Sequence, residues 1–294
     1  MSSSELYSPP DLADALRYIE QGDREVTVIA SGTDLMPRMR RGQISPARLL
    51  DISSLKEDLG YIRRSDAGVR IGALTTVTEL LESPVFTGGL SMVHEVAELF
   101  GAPQIRNVAT VGGNICSASS SEDLIPVFMV LDARLKLVSA KGQRTVSLKD
   151  FVLGKRETAL SPSEILAEVS FGAPAKHSWT AFEKLGRRNI LIIALVSEAI
   201  SMTMEDDLET IRSAKIALNR VRGKVPSLAA ATGEFLSGRK VTEATIAEAQ
   251  KVLEGELALT GDFRASASYR AEVAQAYLRK LIQRCYRGIG GSPG

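Results

Sequence analysis

The amino-acid sequence predicts an α+β protein made of three successive units. In the first 174 residues, short β-branched stretches bounded by glycine or proline alternate with amphipathic helical stretches. Beyond Pro174, longer strands come first and helices follow them. A chain of 294 residues is long enough for two or three packed units. We place these units at residues 1–54, 55–174 and 175–287, with a disordered tail at 288–294.

The first unit has the pattern of a small strand–helix–strand layer. We predict a helix that begins at Pro9 with Ser8 as its N-cap and ends at Gly22. The stretch 26–30 is β-branched and predicts a strand that runs directly into a glycine-bearing segment. Pro37 disfavours a long helix after that segment.

The second and third units contain the remaining predicted elements, whose boundaries rest on hydrophobic periodicity and turn residues. In the second unit we predict hairpins over 61–72 and 134–148 and helices over 90–100 and 123–131. In the third unit we predict strands at 179–185, 190–202 and 211–219, then helices at 227–237, 242–254 and 267–284. The apolar run Ile190–Val196 suits a buried strand and is too short to span a bilayer.

Composition excludes several classes of function. The net charge is +1, which gives no electrostatic case for nucleic acid or an anionic membrane as partner. Two scattered cysteines are too few for an iron–sulfur cluster or a cysteine zinc site, and two histidines are too few for chemistry that needs a histidine cluster. The N-terminus lacks a signal-peptide pattern, so we expect a cytoplasmic protein without membrane insertion. Neither G-x-G-x-x-G after a strand nor a P-loop occurs, and we predict no catalytic or metal-ligating side chain.

Two glycine-bearing stretches, each predicted to form a loop after a β-rich segment, are the strongest local signals: Ala30–Leu35 and Ala109–Ile115. Glycine lets backbone N–H groups approach a phosphate closely. These stretches contain no lysine or arginine, so we expect amide dipoles to neutralise a bound phosphate. The residues that could act in this way are Gly32, Gly112 and Gly113, with hydroxyl donors Thr33, Thr110 and Ser117, and Asp123 for a ribose. The alternative is that both stretches are ordinary tight turns.

Longer motifs resemble one family. Residues 109–126, ATVGGNICSASSSEDLIP, resemble a signature of the molybdenum hydroxylase flavoproteins, of the xanthine or carbon monoxide dehydrogenase type. The ASGTDL stretch at 30–35 is similar to that family's A-G-G-T-[DN]-L loop. Residues 184–188 and 262–270 are similar to two further blocks of that family, and all four blocks occur in the order that the family has. The sequence departs from the pattern at three positions: Ser31 replaces a usual glycine, Ser120 a frequent proline and Asn189 a frequent aspartate. It also lacks the cysteines that some relatives use for a [4Fe–4S] cluster.

This resemblance implies a two-subdomain FAD-binding module of the vanillyl-alcohol-oxidase (PCMH) type, followed by a small α+β C-terminal domain. FAD would be bound non-covalently and extended between the subdomains. The resemblance places the pyrophosphate between residues 30–35 and 110–114, Phe100 beside adenine, and Lys184 and Ile190 near the isoalloxazine. The implied cofactor-binding residues are Ala30, Ser31, Gly32, Thr33, Asp34, Leu35, Phe100, Thr110, Gly112, Gly113, Asn114, Ser117, Asp123, Lys184 and Ile190.

The resemblance also implies a role in a complex. A large partner would carry molybdopterin, a small partner would carry two [2Fe–2S] clusters, and the assembly would be a dimer of heterotrimers. The chain would take electrons from those clusters and pass them from FAD to NAD, a quinone or dioxygen. Two alternatives remain open: a self-sufficient FAD-dependent oxidoreductase of the same fold, and a non-enzymatic nucleotide-binding module. The low histidine count argues against the self-sufficient enzyme.

Overall fold

A computed structural model describes residues 4–21, 26–186, 193–219, 225–258 and 260–290. In the first unit the strands form a parallel sheet in the order β1-β3-β2. The elements of this unit are β1 (Glu5–Tyr7), α1 (Leu12–Glu20), β2 (Val26–Ile29), α2 (Leu35–Arg40) and β3 (Arg48–Asp51).

Helix α1 begins three residues later than we predicted. Its N-cap is Asp11, whose carboxylate accepts a hydrogen bond from the Asp14 amide at 2.7 Å, and not Ser8. The two prolines at 9 and 10 precede this cap, so the helix starts where a side chain can satisfy its first amides. The predicted end at Gly22 lies outside the described residues. Helix α2 is short, as Pro37 led us to expect.

The second unit is built on an antiparallel sheet in the order β4-β5-β10-β6-β7. Both predicted hairpins are present, and β10 joins them by pairing with β5 on one side and β6 on the other. The elements are α3 (Lys56–Leu59), β4 (Ile62–Ser65), β5 (Gly68–Gly72), α4 (Val77–Glu82), α5 (Ser91–Glu98), α6 (Pro103–Arg106), α7 (Val111–Ser117), α8 (Leu124–Val130), β6 (Arg134–Ser139), β7 (Gly142–Ser147), α9 (Leu148–Phe151), β8 (Val152–Gly154), β9 (Glu157–Thr158) and β10 (Ile165–Gly172).

The third unit places an antiparallel sheet, in the order β11-β12-β13-β14, between two sets of helices. One face packs on α10 and α12, while Phe182, Ala199 and Ala217 on the other face belong to the core of the second unit. The elements are β11 (Ser178–Leu185), β12 (Val196–Met204), β13 (Ile211–Asn219), β14 (Ser227–Leu228), α10 (Ala230–Leu236), α11 (Glu243–Glu256) and α12 (Ala267–Ile289).

Three predictions for this unit were wrong in part. Strand β12 begins only at Val196, and residues 193–195 of the apolar run are not in a strand, while 190–192 lie outside the described residues. Residues 227–228 form a strand, so helix α10 starts at Ala230. Helix α12 continues to Ile289 and ends at Gly290, whose φ of 103° suits glycine, so the expected disorder does not begin at 288.

The division into units at residues 54 and 174 remains our prediction. Within the described ranges, no helix has the length and apolar character needed to cross a membrane. The same ranges contain no cluster of at least three histidine, cysteine or acidic side chains that could bind a metal ion.

Candidate functional site

A cleft with a volume of about 640 Å³ lies between the first and second units, within the range that is usual for ligand-binding pockets. Loop 30–35, which follows β2, forms one side, and the segment that contains α7 forms the other. Of the predicted cofactor-binding residues, those that line this cleft are Ala30, Ser31, Gly32, Thr33, Asp34, Leu35, Phe100, Thr110, Gly112, Gly113, Asn114 and Ser117. The structure therefore brings together both glycine-bearing stretches and Phe100.

Loop 30–35 offers unoccupied hydrogen-bond donors to the cleft. Gly32 has a φ of 72°, and a Cβ at this position would lie 2.7 Å from the Met36 side chain. Among the residues that the structure describes, the backbone amides of 31–35 donate no hydrogen bond to protein. Ser31, which replaces the usual glycine, has no positive φ, so its Cβ requires no left-handed backbone. A left-handed residue followed by free amides is a common anion-binding arrangement.

The second glycine-bearing stretch is helical, contrary to our prediction of a loop. Val111–Ser117 forms α7, and the side chain of its N-cap Thr110 accepts a hydrogen bond from the Gly113 amide. The Val111 amide donates to Thr75 O at 2.9 Å, and the Gly112 amide donates to Ala73 O at 2.7 Å. The amides at the start of α7 are therefore already engaged, and the two glycine-bearing stretches do not have the same chemistry.

Gly112 also has a packing role in α7 that we did not predict from the sequence. A Cβ on Gly112 would lie 2.7 Å from the Ala73 Cβ and 2.9 Å from the Ala73 carbonyl oxygen. The missing side chain thus allows α7 to pack against β5 and the residues that follow it. Contact between residues 110–114 and a ligand remains a prediction, but it does not follow from free amides.

The carboxyl group of Glu122, a partly buried residue, lines the cleft. It accepts hydrogen bonds from the Asn114 side-chain amide and, at 2.5 Å, from the Ser117 hydroxyl. Burial raises the pKa of Glu122 to about 8, so the group is predominantly protonated at neutral pH. From the sequence we predict a role only for its neighbour Asp123, whereas the structure places Glu122 in the cleft.

Cationic side chains also reach the cleft, although loop 30–35 and residues 109–115 contain none. Arg156, in the turn between β8 and β9, donates to both carboxylate oxygens of Asp34 at 2.7 and 2.9 Å. Arg38 lies 3.6 Å from the same carboxylate, and both arginines line the cleft. Neutralisation of a bound phosphate by amide dipoles alone therefore stays a prediction, and these two arginines offer a cationic alternative that the sequence did not suggest. No local signal in the sequence predicts that Arg156 meets Asp34, because 122 residues separate them.

Asp123 and Lys184 do not line the cleft. The Lys184 ammonium donates to Asp123 Oδ2 at 2.6 Å and to the Leu99 carbonyl at 3.1 Å, and no part of its side chain is exposed. Burial raises the pKa of Asp123, while the adjacent ammonium opposes that shift. The predicted contacts of these two residues with ribose and isoalloxazine therefore lack support in this geometry. Ile190 and Asn189 lie outside the described residues.

Comparison with known proteins matches nearly the whole chain. Residues 2–174 match the family described as the FAD binding domain in molybdopterin dehydrogenase, and residues 180–285 match the CO dehydrogenase flavoprotein C-terminal domain. The nicotinate dehydrogenase FAD-subunit of Eubacterium barkeri is 32% identical, with 96% of each chain covered. The carbon monoxide dehydrogenase medium chain of Afipia carboxidovorans is 29% identical, again with 96% of each chain covered.

Solved structures agree with these matches. A chain of the reconstituted CO dehydrogenase from Oligotropha carboxidovorans has a TM-score of 0.90 and 29% identity, covering 97% of this chain and 98% of that one. A chain of quinoline 2-oxidoreductase from Pseudomonas putida 86 has a TM-score of 0.89 and 25% identity, with 98% of each chain covered. The predicted fold, an FAD-binding module followed by a small α+β domain, is therefore confirmed.

Proposed function

We propose that this chain takes electrons from [2Fe–2S] clusters of a partner subunit and passes them to an external acceptor. The premise is that the chain belongs to the family of FAD-binding subunits of molybdopterin dehydrogenases. The chain has an FAD-binding domain and is an oxidoreductase subunit. FAD, when bound, supplies the redox chemistry that links one-electron and two-electron carriers. The work of this chain is to bind and orient that cofactor and to present it to a partner.

The free amides of residues 31–35 are the observation that carries the cofactor-binding part of this proposal. A diphosphate needs several converging donors, and this loop provides successive amides with no protein partner in the described part of the chain. Burial raises the pKa of Glu122 to about 8, which reduces its negative charge in the cleft at neutral pH. Phe100 and Ile105 give the cleft an apolar wall that suits a ring system. The residues therefore fit a non-covalently bound, extended dinucleotide.

The partners follow from the same premise. The relatives include medium chains of carbon monoxide and glyceraldehyde dehydrogenases, names that imply larger and smaller chains beside them. We propose a molybdopterin-binding large subunit and a small subunit with two [2Fe–2S] clusters, assembled as a dimer of heterotrimers. The sequence contains only two histidines, which favours an electron-transfer subunit over a self-sufficient enzyme that moves protons at its own substrate.

FAD binding is tested by adding FAD to the purified chain, desalting it and recording the absorbance spectrum. We expect a stoichiometric flavin spectrum from the native chain and its loss in Gly32→Ala. Gly42→Ala is the matched control, because Gly42 also has a left-handed φ of 66° but does not line the cleft, and a Cβ there would meet no described atom within 4 Å. A colourless native chain, or equal loss of FAD in both variants, would contradict the proposed site.

Electron transfer from partners requires a second experiment. The tagged chain is purified from its source cell, and molybdenum, iron and flavin are quantified in the recovered complex. We expect molybdenum and iron to accompany the chain, and flavin bleaching by substrate only in the complex. Bleaching of the isolated chain by the same substrate would identify a self-sufficient enzyme and contradict the proposal.

A further inference from the structure

We propose that Arg156 is the cation that contacts the diphosphate of the bound dinucleotide, and that Asp34 holds its guanidinium in position for this contact. The inference rests on the proposed function, since it concerns the same cleft. It adds a binding residue from outside the two glycine-bearing stretches. The evidence is the backbone conformation of Arg156, the geometry of its ion pair and the distribution of charge around the cleft.

The backbone of Arg156 is held in an unusual conformation. Arg156 occupies the two-residue turn between β8 and β9 with a φ of 64°, a left-handed conformation that side-chain-bearing residues rarely adopt. Its amide donates to the Ala118 carbonyl at 2.8 Å, and Ala118, which ends α7, is itself left-handed with a φ of 41°. Such strain persists where the surroundings fix it, and it often marks a functional position. From this position the Arg156 side chain reaches loop 30–35, where it bonds to Asp34.

The guanidinium is oriented but retains donors for a ligand. Both terminal nitrogens bond to Asp34, and one of them also lies 3.5 Å from the Ser117 carbonyl. A guanidinium has five N–H groups, so Nε and one terminal N–H are not used by these contacts. Asp34 stands at the N-cap position of α2, yet its carboxylate makes no capping bond and reaches Arg156 instead. The carboxylate therefore acts as a positioning group for the arginine, next to the free amides.

The charges around the cleft explain why a cation is needed there. Asp34 belongs to the loop whose amides would bind the diphosphate, so an unpaired carboxylate would repel that ligand. Glu164, also on the cleft, is paired with Arg144 at 2.6 Å, and Glu122 is hydrogen-bonded within the protein. Among the described residues that line the cleft, only Arg38 and Arg156 are cationic. Arg156 makes the closer, bidentate contact, so it offsets the charge of Asp34 and leaves donors for phosphate oxygens.

The test compares Arg156→Asn with Lys155→Asn in the full-length chain. Asparagine tolerates a left-handed backbone, and Lys155 is exposed in the same turn and does not line the cleft, so both variants lose one charge. Affinities for FAD and for riboflavin, which lacks the diphosphate, are measured by flavin fluorescence, with folding checked by circular dichroism. A lost hydrogen bond to a charged group predicts FAD affinity about 10- to 100-fold weaker in Arg156→Asn. Riboflavin affinity in that variant, and both affinities in Lys155→Asn, should change less than about twofold.

The double variant Asp34→Asn/Arg156→Asn separates direct contact from simple neutralisation of Asp34. If Arg156 binds the diphosphate, FAD affinity in the double variant should remain at least about tenfold below that of the native chain. Return to native affinity would show that Arg156 only neutralises Asp34, and would overturn the inference. Equal weakening of FAD and riboflavin would overturn it as well. A native chain that binds no FAD would instead refute the proposed function.

Discussion

The buried ion pair between Lys184 and Asp123 allows a prediction that decides whether these residues act on the cofactor or on the fold. Lys184→Met removes the ammonium and leaves the Asp123 carboxylate in an apolar environment. Neither residue lines the cleft, and the pair joins β11 of the third unit to the residue that precedes α8 in the second. We therefore expect the substitution to change stability and to leave FAD affinity nearly unaltered.

The magnitude follows from the burial of the pair. The Lys184 side chain is 0% exposed and that of Asp123 is 9% exposed, and Asp123 Oδ1 already lacks a hydrogen-bond partner within the described part of the chain. Removing one member of such a pair destabilises a protein by about 3–5 kcal/mol. Each kcal/mol lowers the Tm of a domain of 150–250 residues by about 2–4 °C, which gives a decrease of roughly 6–20 °C.

The assay is thermal unfolding of the native chain, Lys184→Met and the double variant Asp123→Leu/Lys184→Met, all without FAD. Asp123 makes no side-chain cap for α8, so its replacement by leucine removes the buried charge without removing a capping bond. The double variant should recover most of the lost Tm, because replacing both members of a buried pair with apolar groups is often neutral or stabilising. An unchanged Tm in Lys184→Met, together with FAD affinity reduced tenfold or more, would refute this reasoning and restore the predicted cofactor contact.

Further predictions concern buried groups near the cleft and in the third unit. Burial raises the pKa of Glu122 from 4.5 to about 8, so unfolding releases a proton between these pH values. The free energy of unfolding should therefore fall by about 1.4 kcal/mol per pH unit as pH rises through that window. Urea unfolding at several pH values should show a flatter dependence for Glu122→Gln. Neither carboxyl oxygen of Glu198 has a hydrogen-bond partner in the described ranges, and burial raises the pKa of this group well above the usual value. Because a buried polar group without a partner costs stability, Glu198→Met should raise the free energy of unfolding by about 1–3 kcal/mol, as measured in urea. Gly112→Ala should destabilise by about 1–3 kcal/mol in the same assay, because its Cβ would meet the Cβ and backbone of Ala73. Gly113→Ala should destabilise less, because a Cβ there would meet only one side-chain oxygen, that of Thr110, and no backbone atom.

Local signals were sufficient to predict both hairpins and six of the twelve helices in the described part of the chain. The turn residues between β4 and β5, and between β6 and β7, fix both hairpins from within a few residues. Strand β10 was missed because its residues 165–169 are all buried, so the alternating pattern that marks a half-exposed strand is absent. Its position is decided by pairing with β5 and β6, which are distant in sequence.

The helical state of α7 was missed for a related reason. Two adjacent glycines have low intrinsic helix propensity and favour a loop in the isolated sequence. In the folded chain, the Val111 and Gly112 amides bond to carbonyls of residues 75 and 73, and close packing at Ala73 excludes a larger residue at 112. Tertiary contacts therefore override a local preference, and such contacts are not visible in one sequence.

The same distinction separates the two halves of the predicted phosphate site. Both stretches match family motifs and both line the cleft, but a match in sequence does not reveal which amides are occupied in the fold. Loop 30–35 retains free donors, because α2 starts only at Leu35 and Gly32 turns the chain away from β2. Helix α7 uses its first amides for packing, so its contribution to ligand binding depends on side chains such as Asn114 and Ser117, both of which are bonded to Glu122. Diphosphate affinity should therefore depend mainly on the loop and on the arginine beside it, and the shape and stability of the cleft should depend mainly on α7.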